Sequence, residues 1–316
     1  MKMIQKLKDY SLFLREMARP GCNEWQVAIR KREGKTLYEG NGDGFYIVPN
    51  SMRYWRADPF LFTHCDRDYL FVEMFDRWKK KGVLGVCRIR NGKCGRFKVC
   101  LDLSWHLSYP CVFEDKSGIY MVPECYQSEE VAIYRCTSFP LKWEKDSCIL
   151  KGIAVDTTPY GQKWLTTRFS SLDERVNNNL WLVTAEGETK LVKQGDFCAR
   201  GAGHIIQHRE NEYIRPSQNC ADAYGNNIQF NKILCENSEE YKEEAFLSVC
   251  APHAQSDQGV LRVDCKRMGR RKYNGIHTYN LNEKYEVIDL KVLHPVSMTS
   301  FVRKYGNHIR WKIRRK

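Results

Sequence analysis

No run in this 316-residue chain comes near the roughly 18 uninterrupted apolar residues that a membrane-crossing helix requires. Nor does Met1 to Pro20 hold a continuous apolar segment: Lys2, Lys6, Lys8, Asp9, Arg15 and Glu16 interrupt it, which argues against a cleaved signal peptide. The 14 cysteines are scattered singly and never stand as Cys-x-x-Cys, so no zinc ribbon or finger is expected. Without an export signal, such thiols read as reduced and mostly buried in a cytoplasmic protein, a secreted disulfide scaffold being the weaker alternative. A Gly-x-Ser-x-Gly elbow is missing. Gly40-Asn41-Gly42-Asp43-Gly44 lacks the spacing and following helix of a phosphate- or dinucleotide-binding loop and reads as a hairpin turn. Asp-x-Asp occurs only as Asp66-Arg67-Asp68, in a predicted turn, and reads as solvated. No metal and no cofactor is therefore expected. Low-complexity segments and Pro- or Ser-rich linkers are absent too, which favours one folded unit.

The net charge of +13 is unevenly spread. Residues 1–56 hold 11 Lys/Arg against 6 Asp/Glu, residues 57–261 hold 25 against 28, and residues 262–316 hold 15 against 4. A slightly acidic middle speaks against nucleic acid as a partner, since that needs cations along one face of the fold. The excess sits at the ends, above all in Arg303, Lys304, Arg310, Lys312, Arg314, Arg315 and Lys316. A basic tail (301–316) that also carries Trp311 suits the anionic inner face of a membrane, where each cation contributes about 1 kcal/mol. A frayed, solvated terminus is the bland alternative.

What the chain does have is a repeat. Arg56-Ala57-Asp58-Pro59-Phe60 opens an apolar-aromatic strand, a polar turn follows, and Tyr69-Leu70-Phe71-Val72-Glu73 returns. The plan recurs from Tyr109-Pro110 to Pro123-Glu124 and from Val155-Asp156-Thr157 to Thr167-Arg168. A looser copy runs from Arg200-Gly201 to Arg215-Pro216. Starts roughly 45 to 50 residues apart are the period of β-propeller blades. The expected fold is all-β: a five-bladed β-propeller over residues 21–300, with four or six blades as alternatives. A short amphipathic helix over Ile4–Met17 is predicted ahead of it, within residues 1–20. The last blade is expected from residues 225–296, completed by the N-terminal strands around Trp25–Arg30 and Phe45–Val48, which would remove free sheet edges.

Several of these motifs resemble one known family. Ala57-Asp58-Pro59-Phe60, His106-Leu107-Ser108-Tyr109-Pro110 leading to Pro123-Glu124, Val155-Asp156-Thr157-Thr158, Arg215-Pro216-Ser217-Gln218 and Gly275-Ile276-His277-Thr278 are similar to the N-terminal domain of glucosamine inositolphosphorylceramide transferases. That domain also occurs alone in bacterial polysaccharide-biosynthesis settings, and it is similar in turn to five-bladed propeller glycosidases of the arabinanase and β-xylosidase type. The resemblance implies the propeller fold and a sugar-related role. The glycosyltransferase domain of the plant proteins is not present in this sequence, so their transferase activity does not carry over.

Glycoside cleavage needs a carboxylic acid for the leaving oxygen and a carboxylate for water or the anomeric carbon. Asp58, placed like the base of the propeller glycosidases, is the candidate general base and Glu124 the candidate acid. Asp156 would orient substrate or tune the acid. The second blade departs from the glycosidases by placing Tyr109-Pro110 where they often have Asp-Pro. Candidate substrate-binding residues are His106, Tyr109, Arg200, His204, Arg215, Gln218 and His277, the two arginines to meet a carboxylate or phosphate on a sugar. Trp55, Trp105, Tyr109 and Tyr160 are candidates for a pyranose-stacking floor. The chain thus reads as a carbohydrate-active protein acting on a glycan or glycolipid, in the cytoplasm or at the inner membrane face. The alternative is a non-catalytic glycan-binding module that presents substrate to a separate glycosyltransferase.

Overall fold

Short runs of aromatic and β-branched residues, punctuated by Gly, Asn and Asp turns, form five antiparallel-dominated sheets in the computed structural model. Residues 24–169, 178–235, 241–256 and 258–293 are described; the predicted helix over Ile4–Met17 and the basic tail lie outside them. Blade one comprises Tyr54–His64, Arg67–Asp76, Lys81–Arg90, Lys93–Cys94 and Lys98–Leu101. Blade two comprises Ser108–Asp115, Gly118–Glu124, Glu130–Ser138 and Lys142–Lys151, and blade three Ala154–Tyr160, Lys163–Arg168, Leu180–Val183 and Thr189–Lys193. Blade four runs from Ile206–Arg209 through Glu212–Asn219 and Asn227–Cys235 to Lys242–Cys250, with Leu261–Arg262 at its edge.

Blade five is discontinuous in sequence. Tyr285–Leu293 pairs with Lys272–Gly275 and Tyr279–Leu281 on one side and with Glu24–Lys31 on the other; Phe45–Ile47 and Cys265–Lys266 complete it. Register along the closing pair is unbroken from Glu24↔Val292 to Lys31↔Tyr285, so the N-terminal strand locks the ring to its last blade. Residues 227–250, expected in this blade, belong instead to blade four. Asn227–Cys235 stays paired with the preceding strand from Tyr213↔Ile233 to Asn219↔Asn227, a hairpin contact that a long excursion to another sheet would forfeit.

The apolar cores lie between the blades. Phe60, Phe71 and Leu84 of blade one meet Val112, Met121 and Trp143 of blade two; Leu70 and Val72 meet Val27 and Val287 of blade five. Val122 and Val131 meet Ala154 and Val183 across blades two and three. Leu165 and Leu180 face Ile205 and Tyr241 across three and four, and Ile214 and Phe230 face Tyr273 and Ile288 across four and five. Those of these side chains that are fully buried contribute roughly 1.5–3 kcal/mol each. Cores at all the blade junctions leave the polar inner strands pointing at the axis.

Candidate active site

Asp58, Tyr109 and Asp156 hold the same place in three successive blades. In each inner strand two residues face one: Asp58-Pro59 between the Ala57–Glu73 and Phe60–Phe71 pairs, Tyr109-Pro110 between Ser108–Glu124 and Cys111–Val122, Asp156-Thr157 between Val155–Thr167 and Thr158–Leu165. All three residues have a left-handed backbone, with φ of 46°, 46° and 52°. That conformation costs a side-chain-bearing residue about 1–2 kcal/mol, and a bulge is the device that re-aims the side chain. Glu73 and Glu124 are matched as well, each opposite the residue before the bulge. Blade four supplies Arg200, ahead of its inner strand and beside the Gly201–Ser217 bridge. Blade five supplies His277, Thr278 and, from the adjoining strand, Asp289.

These groups form one buried network. The Tyr109 amide and the Thr278 hydroxyl donate to the two Asp58 carboxylate oxygens at 3.1 and 2.9 Å, and the Asp58 amide donates to Asp289 at 2.8 Å. His277 Nδ1 lies 2.7 Å from Asp289, and its Nε2 lies 3.7 Å from Asp58. Arg200 Nε donates to Asp156 at 2.5 Å, its Nη2 reaches Glu124 at 3.4 Å, and Gln218 donates to the same Asp156 oxygen at 3.1 Å. Trp25 lies flat on His277, ring centres 3.7 Å apart, with Tyr224 edge-on at 5.4 Å. Tyr224 is 42 % exposed, and the Arg200 guanidinium lies over its ring at 5.1 Å.

Burial governs the protonation states. It pushes Asp58 up to about 6, helped by Asp289 and Asp156 and opposed by His277 and Thr278. Glu124 is raised well above the usual carboxylate range, first by burial and then by the neighbouring Asp156, against the pull of Arg200. Glu73 is raised well above it too, by burial and by Asp58, Glu124 and Asp289. For His277 burial works against the proton, but Asp289 and Asp58 prevail and raise it. Asp58, His277 and Asp289 each place one potential ligand atom within 4.8 Å of the others, so a cation would find its donors here. The His277–Asp289 hydrogen bond already accounts for that closeness.

Asp58, Glu124, Asp156, Arg200, Gln218 and His277 thus converge. The side chains of the other candidates have different surroundings. Arg215 is turned into blade four, where it donates to Glu243 at 2.5 and 2.7 Å and to the Ala199 and Cys198 carbonyls. Arg200 and Arg215 are both paired with the protein's own carboxylates. Tyr109 is fully buried, its hydroxyl bonded to Thr158 and to Gly203, and offers no ring face to a sugar. Trp55, also expected in the stacking floor, is buried flat against Phe75 at 4.7 Å. Trp105 packs beside the core between blades one and two, and Tyr160 beside the core between three and four. His204 packs edge-on against Phe60 and is lowered by burial to about 4. His106 Nδ1 accepts from the Gly82 amide, and its Nε2 lies 3.4 Å from Glu73. Glu73, Asp289, Trp25 and Tyr224 are the members that sequence reasoning missed. The signal for Glu73 was present, since it ends its repeat as Glu124 does.

Five radial, antiparallel-dominated sheets closed around one axis define a five-bladed β-propeller. The catalytic domain of a GH62 α-L-arabinofuranosidase from Coprinopsis cinerea superimposes over 79% of this chain and 95% of its own, with a TM-score of 0.53 at 14% identity, which establishes the architecture. Residues 49–282 match the family described as glucosamine inositolphosphorylceramide transferase 1, N-terminal, and the chain belongs to that family. It is 30% identical over 244 residues to glucosamine inositolphosphorylceramide transferase 1 of Arabidopsis thaliana and 28% identical over 242 residues to that of Oryza sativa subsp. indica, 72% of this chain in both cases. The matches span only 30% and 31% of those relatives' lengths.

Proposed function

We propose that this propeller is a carbohydrate-active protein of cell-surface polysaccharide or glycolipid biosynthesis, cleaving or transferring a glycosyl unit in its axial pit. The observation that carries this reading is a pair of buried carboxyls, Asp58 and Glu124, brought into one network from neighbouring blades. Burial raises both, Asp58 to about 6 and Glu124 well above the usual carboxylate range. Glu124 gives its proton to the glycosidic oxygen as the C–O bond breaks. Asp58 takes the proton of the attacking water or acceptor hydroxyl. Asp156 anchors Arg200 and thereby holds Glu124 in place. With both arginines internally paired, the unit entering the pit is the neutral sugar part of the substrate. The name of the curated relatives favours inositolphosphorylceramide-type glycolipids as the substrate class.

Turnover is expected to rise as pH passes about 6, where Asp58 loses its proton, and to fall at higher pH as Glu124 ionises. A pH–rate profile on a cleaved glycan checks this; a flat profile from pH 5 to 8 sinks the acid–base assignment. Glycan-array binding followed by product analysis is the primary experiment. Bound glycans recovered intact after long incubation would favour the second reading, a module that presents its glycan to a separate glycosyltransferase. What favours that reading is that one Asp156 oxygen already accepts from both Arg200 and Gln218, and Glu124 accepts from Arg200. Attachment to the inner membrane face through residues 301–316 belongs to the same proposal. Deleting 303–316 is expected to release the protein from the membrane fraction, and unchanged fractionation would dismiss the tail's role.

A further inference from the structure

The outer hairpin of blade one carries Arg88, Arg90, Lys93, Arg96 and Lys98 within eleven residues and no acid. Folding brings all of them to the wall of one cavity of about 570 Å³ between blades one and two, and no Asp or Glu lines it. None of the five cations has an ion-pair or hydrogen-bond partner for its side chain among the described residues. The Nε of Arg88 is buried without a partner. Val86, Pro140 and Leu141 supply an apolar floor, and Leu141 is 36% exposed.

Such an arrangement is unusual for a solvated face, where like charges are interspersed with opposite ones. Nearby surface makes the contrast. Lys93 also borders a second cleft with Lys266 and Arg267, but that cleft has Glu33 and Asp43 on its wall among the cations. The cavity is also remote from the axial pit. Arg88 pairs across the sheet with Tyr69, and Tyr69 pairs with Phe62, four residues past Asp58 and hence roughly 13 Å along the strand.

We propose that this cavity is a binding site for a ligand carrying clustered phosphate groups, its apolar part lying against Val86, Pro140 and Leu141. Cations of an Arg-rich fork suit phosphate oxygens, and several are needed to offset more than one phosphate charge. The shared chemistry has two sources, the headgroups of an anionic membrane and a soluble phosphorylated compound. The site does not depend on the sugar chemistry proposed for the pit.

The test uses the full chain with two probes: phosphatidylcholine vesicles with and without phosphatidic acid, and soluble pyrophosphate. Wild type is expected to bind at least one. Arg90→Gln/Lys93→Gln/Arg96→Gln removes three exposed cations and is expected to weaken binding roughly a hundredfold. The charge-matched Lys142→Gln/Lys145→Gln/Lys151→Gln variant, on the outer strand of blade two, is expected to bind like wild type. Binding to phosphatidic acid vesicles alone identifies a lipid surface. Pyrophosphate binding that competes with the vesicles identifies a soluble ligand. Equal losses in the two triple variants, or no binding of either probe, overturns the site.

Discussion

Glu124→Gln is expected to cut glycosyl turnover by about two to four orders of magnitude with little change in thermal stability. Glutamine retains the acceptor that meets Arg200 at 3.4 Å but has no proton to give. Because the wild-type carboxyl holds its proton well above the usual range, the alkaline limb of the pH–rate profile should vanish with it. Asp58→Asn is expected to lose turnover on the same scale, for the complementary reason that an amide cannot take a proton. It also costs stability. Asp58 accepts from both the Tyr109 amide and the Thr278 hydroxyl, and an asparagine supplies only one acceptor oxygen, leaving a buried donor unmatched at about 1–3 kcal/mol. Product analysis and thermal unfolding measured side by side separate the two effects. Full turnover in Glu124→Gln would remove it as the acid; affinity retained without any turnover in wild type would leave a binding module.

Arg215→Met should destabilise the fold by about 3–5 kcal/mol, because it strands Glu243 without its main cation. In a domain of this size that is a fall in Tm on the order of 10 °C. Glu243 accepts from Arg215 twice, from Lys193 at 2.8 Å and from Tyr241 at 2.6 Å. Burial alone would raise its pKa, but Arg215 and then Lys193 hold it down to about 2. A folded pKa below the unfolded one gives stability that is present above about 4.5 and lost as pH falls toward 2. Wild type should therefore lose stability across that window, and Arg215→Met should lose less of it. Replacing both partners, Arg215→Met with Glu243→Leu, is expected to recover much of the deficit, since neither charge is then left buried alone. If Arg215→Met keeps its Tm but abolishes glycan binding, Arg215 belongs to the sugar site after all.

How much of this was legible beforehand differs from residue to residue. The 45–50-residue recurrence was enough for the propeller and for Asp58 and Asp156, since equivalent positions on inner strands converge. Tyr109 was legible as a departure from the repeat, but not as what it is: a core side chain in a left-handed bulge, bonded to blades three and four through Thr158 and Gly203. Arg200 and Arg215 look alike in sequence, yet one lies in the axial network and the other is buried in blade four. The basic hairpin at 88–98 was hidden by averaging, because a charge count over 57–261 comes out slightly negative while the fold gathers five of its cations on one wall.

Strand alternation, turn residues and the spacing of repeats are properties of neighbouring residues, and they sufficed for the all-β class, the ring and two of its inward acids. Proton affinity and pairing are not local. The Asp58 amide meets a carboxylate 231 positions away and Arg200 meets one 44 positions away, and burial sets how strongly each feels the other. Only the closed ring decides those distances, because apolar packing at the blade junctions forces the polar inner strands together regardless of where they lie in the chain.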